Sequence, residues 1–491
     1  MASVVLLIIF LSSGCGRNFD PKKTYTTAEI KSDFELMKSA LIEAHPGIYR
    51  YTSPDSMRWI FDKVEQRLDH DMSEREFRAV VNPIFSYIRC GHTDIYQSKS
   101  YAKYIKKNKP HEFPLGTAFL GNKLRIDRNR SKDTTLKIGQ EIVAIDGKPI
   151  AVIIAEIRET ISSDGYNQTF KNTLINNNFG SYYRYIRLNP DTFKITVKDS
   201  IGNISTHALT YLKPAKPTKK TDSTAHKSKP ILPPSAPITP PVPKLTKAEL
   251  RHTFKISDKD STMAILDLNT FSDPTYGRFY RQSFKKIQQR GIKNLVIDLR
   301  NNGGGRSAAS IRLMSYLLDS AFVVYDSVVA HGKVPLANKN IDTKFFRFLS
   351  RNLWSKKLPN GQLLNKETAR VHQPRKRYHF GGTTYVLTNG GSFSASAIFA
   401  SIAQQNSKKV FVVGRETGGG RYGCNAFISP YLTLPNTQAR VRIPMYKILL
   451  HVPGQDTGRG VMPNYSVDYT FEAAQKGLDL DIEKVLELVK K

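Results

Sequence analysis

The most constraining feature of this sequence is the stretch 384–400, which reads TYVLTNGGSFSASAIFA. Its apolar residues 385–387 predict a short buried strand, and the Asn-Gly-Gly that follows tolerates the positive φ of a tight turn. From Ser394 onwards, small and apolar residues recur at helical spacing. A hydroxyl at a helix N-terminus lies where N–H groups and the helix dipole favour negative charge, as a serine nucleophile and its oxyanion require. The alternative is that Ser392 and Ser394 only cap the helix.

A second informative stretch is 294–305, with the sequence NLVIDLRNNGGG. Its apolar run predicts a strand that is buried on both faces, as in a sheet covered by helices. The three glycines at its end allow the backbone to approach a bound group closely. Strands alternating with helices in this half of the chain indicate a layered βα core.

Together the two stretches resemble the motifs of the C-terminal-processing, or tail-specific, serine peptidases of family S41, which also includes the tricorn core protease. The resemblance extends from about residue 33 to the C-terminus. It implies a crotonase-like or Clp-protease-like catalytic core with Ser394 as the nucleophile. It also implies that backbone N–H groups of Gly303, Gly304 and Ala395 hold the oxyanion.

The general base differs between branches of this family. One branch uses a Ser–Lys dyad, but the lysine position here is Gly420, beside Arg421, and arginine cannot act as a base because it stays protonated. The tricorn-like branch has a Gly-His-Thr motif, which matches residues 91–93. The resemblance therefore implies that His92 takes the Ser394 proton, a role that suits an imidazole with a near-neutral pKa.

The tricorn-like branch also orients its histidine with a carboxylate, which lies shortly before a Gly-Val-x-Pro segment, here residues 460–463. The matching position is Thr457, and the adjacent Asp456 is the candidate orienting acid. Gly91 stands where this branch has a relay serine. The alternative is that Asp456 is an ordinary solvent-exposed loop residue.

The front of the chain predicts an N-terminal helical domain over residues 26–95. Capping signals at Thr26, Ser53 and Ser73 begin three helices whose apolar stripes can pack as a bundle. His45, which precedes a proline between the first two helices, is expected to be structural.

Residues 113–212 alternate apolar and polar positions and predict mostly strands, with a hairpin turn at Asp146 and Gly147. This segment resembles a PDZ domain, which captures peptides by strand addition; a spacer without peptide affinity is the alternative. A Pro- and Lys-rich linker follows over 213–245, and the catalytic domain spans 253–491. The overall prediction is a multidomain α/β protein.

Two segments carry weaker signals. Residues 164–188 are rich in Asn and Tyr and match no clear element. Residues 330–380 are basic and polar and are expected to be irregular, either covering the cleft or forming a peripheral insertion.

The first 15 residues read MASVVLLIIFLSSGC, an apolar run followed by small residues, which is typical of an export signal. The small residues before Cys15 resemble a bacterial lipobox, which implies cleavage there, acylation of the thiol and a membrane-anchored lipoprotein of the cell envelope. Because no basic residue precedes the apolar run and Ser12 replaces a larger aliphatic residue, an ordinary secretory signal remains the alternative.

The formal net charge of +32 is spread along the chain without a nucleic-acid recognition motif. It favours an envelope protein near anionic surfaces over a nucleic-acid-binding protein. If Cys15 is lipidated, Cys90 and Cys424 remain and are hypothesised to form a disulfide between the helical and catalytic domains. The histidines do not cluster with cysteines or carboxylates at ligand spacing, so neither a metal nor a cofactor is expected.

The sequence thus predicts an exported serine endopeptidase that acts on a peptide or protein substrate. One competing hypothesis is a catalytically inactive, peptide-binding envelope protein on a peptidase scaffold. The other is an esterase or acyl hydrolase, because the same groups cleave esters.

Overall fold

The computed structural model describes residues 19–187, 192–213, 251–333 and 335–490. The predicted signal segment with Cys15 and nearly all of the predicted linker lie outside these residues. Within the described ranges, no helix combines the length and apolar character needed to cross a membrane.

The N-terminal region is helical, as predicted. Thr26 and Ser73 each form a capping box, and Ser53 caps the helix that begins at Pro54. The third helix ends at Val81, because a proline at residue 83 cannot continue the hydrogen-bond ladder and starts a further helix instead. The elements are the helices Thr27–Ala44, Pro54–Glu65, Glu74–Val81, Pro83–Ile88 and Lys99–Lys107 and the strands Thr24–Tyr25, Met72–Ser73 and Asp94–Tyr96.

The middle region is a sheet covered by two helices of 10 and 18 residues, so the expectation of mostly strands is wrong for these two segments. Apolar residues at 150, 153, 154 and 157 have helical spacing and pack on the sheet. The predicted turn at Asp146 and Gly147 is confirmed, and both residues have positive φ. The elements are the strands Leu115–Leu120, Lys123–Asn129, Glu141–Ile145, Lys148–Pro149, Thr192–Lys198 and Ile204–Thr210 and the helices Ile150–Glu159 and Thr169–Ile186. Its likeness to a PDZ domain stays a prediction.

The last region is built on a six-stranded sheet that is parallel except for its first edge strand. In sheet order the strands are His252–Ile256, Met263–Leu268, Asn294–Asp298, Thr383–Thr388, Val410–Gly414 and Tyr465–Ser466. Side chains on alternate positions enter two separate apolar clusters, one on each face. The prediction of a strand buried on both faces is therefore confirmed for Asn294–Asp298.

Helices cover this sheet on both sides. They are Tyr276–Gln289, Ser307–Met314, Ala395–Asn406, Phe471–Gln475 and Leu480–Val489. In the central pair of strands, Asp298 lies opposite Leu387. The segments that leave these two strands therefore emerge side by side at one edge, where open α/β sheets bind their ligands.

Smaller elements surround the sheet edge, including the segment 330–380 that was expected to be irregular. That expectation is wrong, because this segment contains a helix and part of a five-stranded sheet. The elements are the helix Lys344–Asn352, the 3-10 helix Leu336–Asn340 and the strands Phe322–Val323, Tyr325–Ala330, Ser355–Lys357, Leu363–Asn365, Val371–His372, Asn425–Ala426, Tyr431–Thr433, Arg440–Arg442 and Tyr446–Leu450.

One small sheet joins the two ends of the chain. The strand Asp94–Tyr96 from the helical region pairs with Arg440–Arg442, which in turn pairs with Tyr431–Thr433. The loop that precedes Asp94 is thereby held at the edge of the large sheet.

Candidate active site

Ser394 lies at the junction between the strand Thr383–Thr388 and the helix Ala395–Asn406. It has φ 55° and ψ −121°, a backbone conformation that costs free energy for a residue with a side chain and that clusters at functional sites. Its hydroxyl makes no capping hydrogen bond to its own helix. Ser392, in contrast, is fully buried and its hydroxyl donates to the carbonyl of Leu299. The alternative that Ser392 and Ser394 only cap the helix is therefore wrong for both residues.

The Ser394 hydroxyl instead faces an imidazole from the other end of the chain. Nε2 of His92 lies 3.1 Å from Oγ of Ser394, although the residues are 302 positions apart. The other ring nitrogen, Nδ1, is buried without a hydrogen-bond partner among the described residues. Burial, and then the charge of Arg442, lower the pKa of His92 to about 3. The ring is thus neutral at physiological pH and can accept a proton at Nε2.

The His92 loop is held through its backbone. Nε of Arg442 donates to the His92 carbonyl at 2.6 Å, and its Nη2 donates to the Gly91 carbonyl at 3.2 Å. His45 supports the next residue, because its Nε2 lies 2.7 Å from the Thr93 hydroxyl while its Nδ1 accepts the N–H of Gly47. His45 is buried, with its pKa lowered to about 3 by that burial, in agreement with the expected structural role.

Sequence reasoning missed Asp164. Its carboxylate accepts the N–H of Gly91 at 2.9 Å and that of Gly420 at 3.3 Å, so it ties the His92 loop to the glycine-rich segment. Burial raises the pKa of Asp164 to about 6. The only local signal was an Asp-Gly turn at 164–165, and it could not indicate a contact 73 residues away.

Asp456 does not contact His92, and the interpretation of it as the orienting acid is wrong. Its carboxylate forms an ion pair with Arg50 at 2.7 Å and accepts the Tyr51 hydroxyl at 2.9 Å. It also accepts the N–H of Gly458. A guanidinium that is nearly inaccessible to solvent is a stronger partner for a carboxylate than a neutral imidazole, so Asp456 links the front loop to the last loop instead.

The three residues expected to supply oxyanion N–H groups lie around Ser394. A Cβ at Gly304 would be 2.7 Å from the Ser394 Cβ, so only glycine allows this approach. The Gly304 N–H already donates to Oδ1 of Asn302, however. The N–H of Gly303 has no partner within the described ranges, and Ala395 is the first residue of its helix, where N–H groups lack helical partners. Gly303 and Ala395 therefore have the available donors.

Ser394 and His92 line a cleft of about 660 Å³, together with Gly303, Arg306 and Phe427, among others. No lysine of the described chain lines it. The side chain of Arg421 turns away to Oε1 of Gln404, at 3.0 Å. The absence of a Ser–Lys dyad, inferred from the sequence, agrees with this arrangement.

The hypothesis of a disulfide between Cys90 and Cys424 is wrong, whereas the expectation that no metal is bound stays a prediction. Cys90 and Cys424 are both free and buried, and Cys90 Sγ lies 3.9 Å from the Asn425 carbonyl oxygen rather than bonded to Cys424. Folding does bring potential metal ligands together: one atom each of Cys90, His92 and Asp164 lie within 4.8 Å of one another. Spacing along the sequence could not reveal this group, since one member comes from a distant loop.

A serine hydroxyl facing a half-buried, neutral imidazole, beside N–H groups without a partner in the described residues, defines a serine-hydrolase type of site. Residues 262–467 match the family model of peptidase family S41. This part of the chain belongs to that family, and the protein is a serine-type peptidase whose substrates are peptides or proteins.

The solved structures of mature CPAF support the fold. Mature CPAF has a TM-score of 0.63 at 14% identity, with 94% of this chain and 97% of that chain covered. Mature CPAF complexed with lactacystin has the same TM-score and identity, with 94% and 98% covered. The photosystem II D1 C-terminal processing protease has a TM-score of 0.41 at 14% identity, with 90% and 93% covered. Among curated protein sequences there is no match.

Proposed function

We propose that the protein is an exported serine endopeptidase in which Ser394 is the nucleophile and His92 the general base. The observation that carries this proposal is the 3.1 Å approach of His92 Nε2 to Ser394 Oγ. That distance is within the hydrogen-bond reach required of a base and its nucleophile.

The reaction follows from this geometry. As Ser394 Oγ attacks the scissile carbonyl, its proton passes to His92 Nε2, and the carbonyl oxygen becomes an oxyanion. The N–H groups of Gly303 and Ala395 donate to that oxygen. His92 then gives the proton to the leaving amine, and water hydrolyses the acyl-enzyme by the same steps.

Asp164 contributes as a positioning residue in this proposal. It holds the His92 loop through the Gly91 N–H at 2.9 Å. Its carboxylate also lies within 4.8 Å of a ring nitrogen of His92, where negative charge stabilises the imidazolium that forms during proton transfer.

Export and membrane anchoring are part of the proposal and rest on the N-terminal sequence. The apolar run and the small residues before Cys15 support cleavage and thiol acylation in a bacterial envelope. Metabolic labelling with an alkyne fatty acid tests this directly. Incorporation that is lost in Cys15→Ser supports a lipoprotein, whereas an unlabelled, cleaved and secreted chain contradicts the anchor.

A fluorophosphonate probe tests the catalytic proposal, because it reacts with activated serines. We expect labelling of the wild type, none in Ser394→Ala, and a decrease of about 10²- to 10⁴-fold in His92→Ala, the range typical of a lost general base. Ser396→Ala is a matched control from the same helix, since its buried hydroxyl has no partner among the described residues. It should label like the wild type.

The competing hypotheses predict different outcomes. Absence of labelling in a folded wild type, with peptide binding retained, would identify a binding protein on a peptidase scaffold. Labelling with ester cleavage but no cleavage within a peptide library would identify an acyl hydrolase. Cleavage at internal peptide bonds, read by mass spectrometry, supports the endopeptidase.

A further inference from the structure

Three side chains with metal-binding atoms converge beside Ser394. Sγ of Cys90, a ring nitrogen of His92 and a carboxylate oxygen of Asp164 all lie within 4.8 Å of one another. Bond lengths of about 2.0–2.3 Å place neighbouring ligands of a tetrahedral zinc ion roughly 3.3–3.7 Å apart. A contraction of about 1 Å would therefore bring the three atoms to coordination distance.

Two of these groups have unused capacity to bind a cation. Nδ1 of His92 is buried and has no hydrogen-bond partner among the residues that the structure describes, whereas Nε2 faces Ser394. Asp164 is 3% exposed and forms no ion pair within the part of the chain that the structure describes. The guanidinium groups nearby are engaged elsewhere: Arg50 binds Asp456, and Arg442 binds the carbonyls of the His92 loop.

We propose that Cys90, His92 and Asp164 form an inhibitory site for Zn²⁺, with Nδ1 as the histidine ligand. The inference rests on the proposed role of His92 as the base. Sulfur, nitrogen and carboxylate donors match the preference of Zn²⁺, with water as the fourth ligand. Cys90 binds as a thiolate and releases its proton to solvent. The thiolate and the carboxylate together balance the charge of the ion, so the buried complex is neutral.

Binding at Nδ1 stops the proposed reaction for a specific reason. A neutral imidazole that coordinates a metal through one nitrogen carries its proton on the other. Nε2 then presents an N–H to Ser394 and cannot accept the serine proton. The ion thus blocks the base without occupying the substrate cleft, and a chelator restores activity.

Cobalt titration tests binding without any use of activity. The full chain is used with Cys15→Ser in every arm, so that Cys90 and Cys424 are the thiols present. We expect a thiolate-to-Co²⁺ charge-transfer band that Zn²⁺ abolishes. The band should be lost in Cys90→Ser and kept in Cys424→Ser, the matched control for a buried cysteine. Absence of the band from the unsubstituted site, or its loss only in Cys424→Ser, overturns the inference.

The second readout is the Zn²⁺ concentration that halves the rate of fluorophosphonate labelling. For each variant, the rate with Zn²⁺ is compared with the rate of the same variant in chelator. Loss of an outer-shell partner costs about 10- to 100-fold in metal affinity, so loss of the Cys90 ligand should raise this concentration at least tenfold. An equal shift in Cys90→Ser and Cys424→Ser contradicts the site.

The two proposals fail in different ways. A cobalt band without labelling in chelator leaves the metal site intact and refutes the proposed function. Labelling that neither cobalt nor zinc affects leaves the proposed function intact and refutes the metal site.

Discussion

At the scale of single residues, burial decides the protonation states around Ser394. Taking a charged group out of water disfavours its charged form, which lowers the pKa of His92 to about 3 and raises that of Asp164 to about 6. The two groups titrate in the opposite order from an exposed His and Asp. An imidazole that is neutral throughout the working pH range is available as a base, whereas the nearby carboxylate titrates in the range where His normally would.

This order predicts the pH dependence of labelling. In chelator, with no metal bound, His92 stays neutral above about pH 3, so it produces no decrease in rate near its ordinary pKa of 6.5. Asp164 loses its proton as the pH rises through about 6, and its charge then stabilises the imidazolium. The fluorophosphonate rate constant should therefore rise through a midpoint near pH 6 and stay level to about pH 9.

Asp164→Asn is the variant that checks this assignment. An opposite charge at 4–6 Å shifts a pKa by about 1–3 units, so its removal should lower the plateau rate about tenfold or more. The step near pH 6 should disappear with the titrating group. A step that persists unchanged in this variant would assign the titration to another residue.

At the scale of secondary-structure elements, two parallel strands and one small sheet assemble the site. The strands bring the Gly303–Gly304 segment and the Ser394 turn to the same edge of the large sheet. The small sheet, through the pairing of Arg442 with Asp94, holds the His92 loop against that edge. The strand pairings thus hold the loop and the turn side by side, in addition to the hydrogen bonds that Asp164 and Arg442 make to the loop.

Arg442 is predicted to matter for catalysis through the loop backbone. Arg442→Gln removes the two hydrogen bonds to the carbonyls of Gly91 and His92, so the imidazole loses its alignment with Ser394. The labelling rate should fall at least tenfold. This loss is smaller than the roughly 10²- to 10⁴-fold contribution of a general base, because the imidazole is still present. The pKa of His92 should also rise, while remaining below 6.5 because burial is the larger cause of its lowering.

The control for this prediction lies on the same strand. Arg440 donates to the Gln97 carbonyl at 3.3 Å and does not touch the His92 loop. Arg440→Gln should label within about twofold of the wild type, the size of effect expected of a surface change. Equal losses in both variants would mean that the strand as a whole, and not the hydrogen bonds from Arg442 to the His92 loop, determines the labelling rate.

Gly304 provides a second prediction at this scale. Gly304→Ala places a Cβ 2.7 Å from that of Ser394 and 2.9 Å from the Ala395 nitrogen, at φ +97°. Because the nucleophile and an oxyanion donor must shift, labelling should fall by about 10²-fold or more, comparable to the loss of an oxyanion-hole donor.

Gly291→Ala controls for backbone strain alone. Gly291 also has positive φ, at +61°, but a Cβ there meets nothing within 4 Å. It should cost about 1 kcal/mol of stability and leave the labelling rate unchanged. If Gly304→Ala labelled as well as Gly291→Ala, the close packing against Ser394 would be irrelevant to the chemistry.

At the scale of the whole molecule, the apolar cores show which regions are coupled. The middle region has a core drawn only from residues 113–211. The helical region instead shares its core with residues 432–443, which belong to the catalytic part of the chain. His92 is therefore attached to the catalytic region by packing as well as by strand pairing.

A partly buried ion-pair network is predicted to be important for global stability. Arg300, after the strand Asn294–Asp298, binds Asp298, Asp479 and Asp481, and Asp481 is fully buried. Arg300→Ala leaves that carboxylate without its cation and should lower the free energy of unfolding by about 3–5 kcal/mol. The shift of the urea midpoint measures this loss.

The comparison for Arg300 is an exposed ion pair. Arg58 pairs with Asp55, and their side chains are 70% and 87% exposed. Arg58→Ala should change stability by less than about 1 kcal/mol, because solvent screens such pairs. Similar midpoint shifts in the two variants would show that the Arg300 network does not stabilise the fold.

Local patterns in the sequence were sufficient for most elements of the fold. Capping boxes at Thr26 and Ser73, the turn at Asp146 and the apolar strand 294–298 depend on neighbours within a few residues, so the sequence determined them. Ser394 was predicted for the same reason, since a strand, a glycine turn and a helix start form one continuous stretch. The motifs also sufficed to indicate family S41.

The tertiary structure decided which distant groups meet, and only the pairing of His92 with Ser394 had been implied beforehand, by the family resemblance. His92 reaches Ser394 across 302 residues, Asp164 reaches Gly91 across 73, and Asp456 binds Arg50 rather than the histidine. Sequence spacing contains no information on such contacts, because they depend on strand register and on shared cores. Burial, which is also a property of the assembled fold, then sets the pKa values on which the proposed chemistry depends.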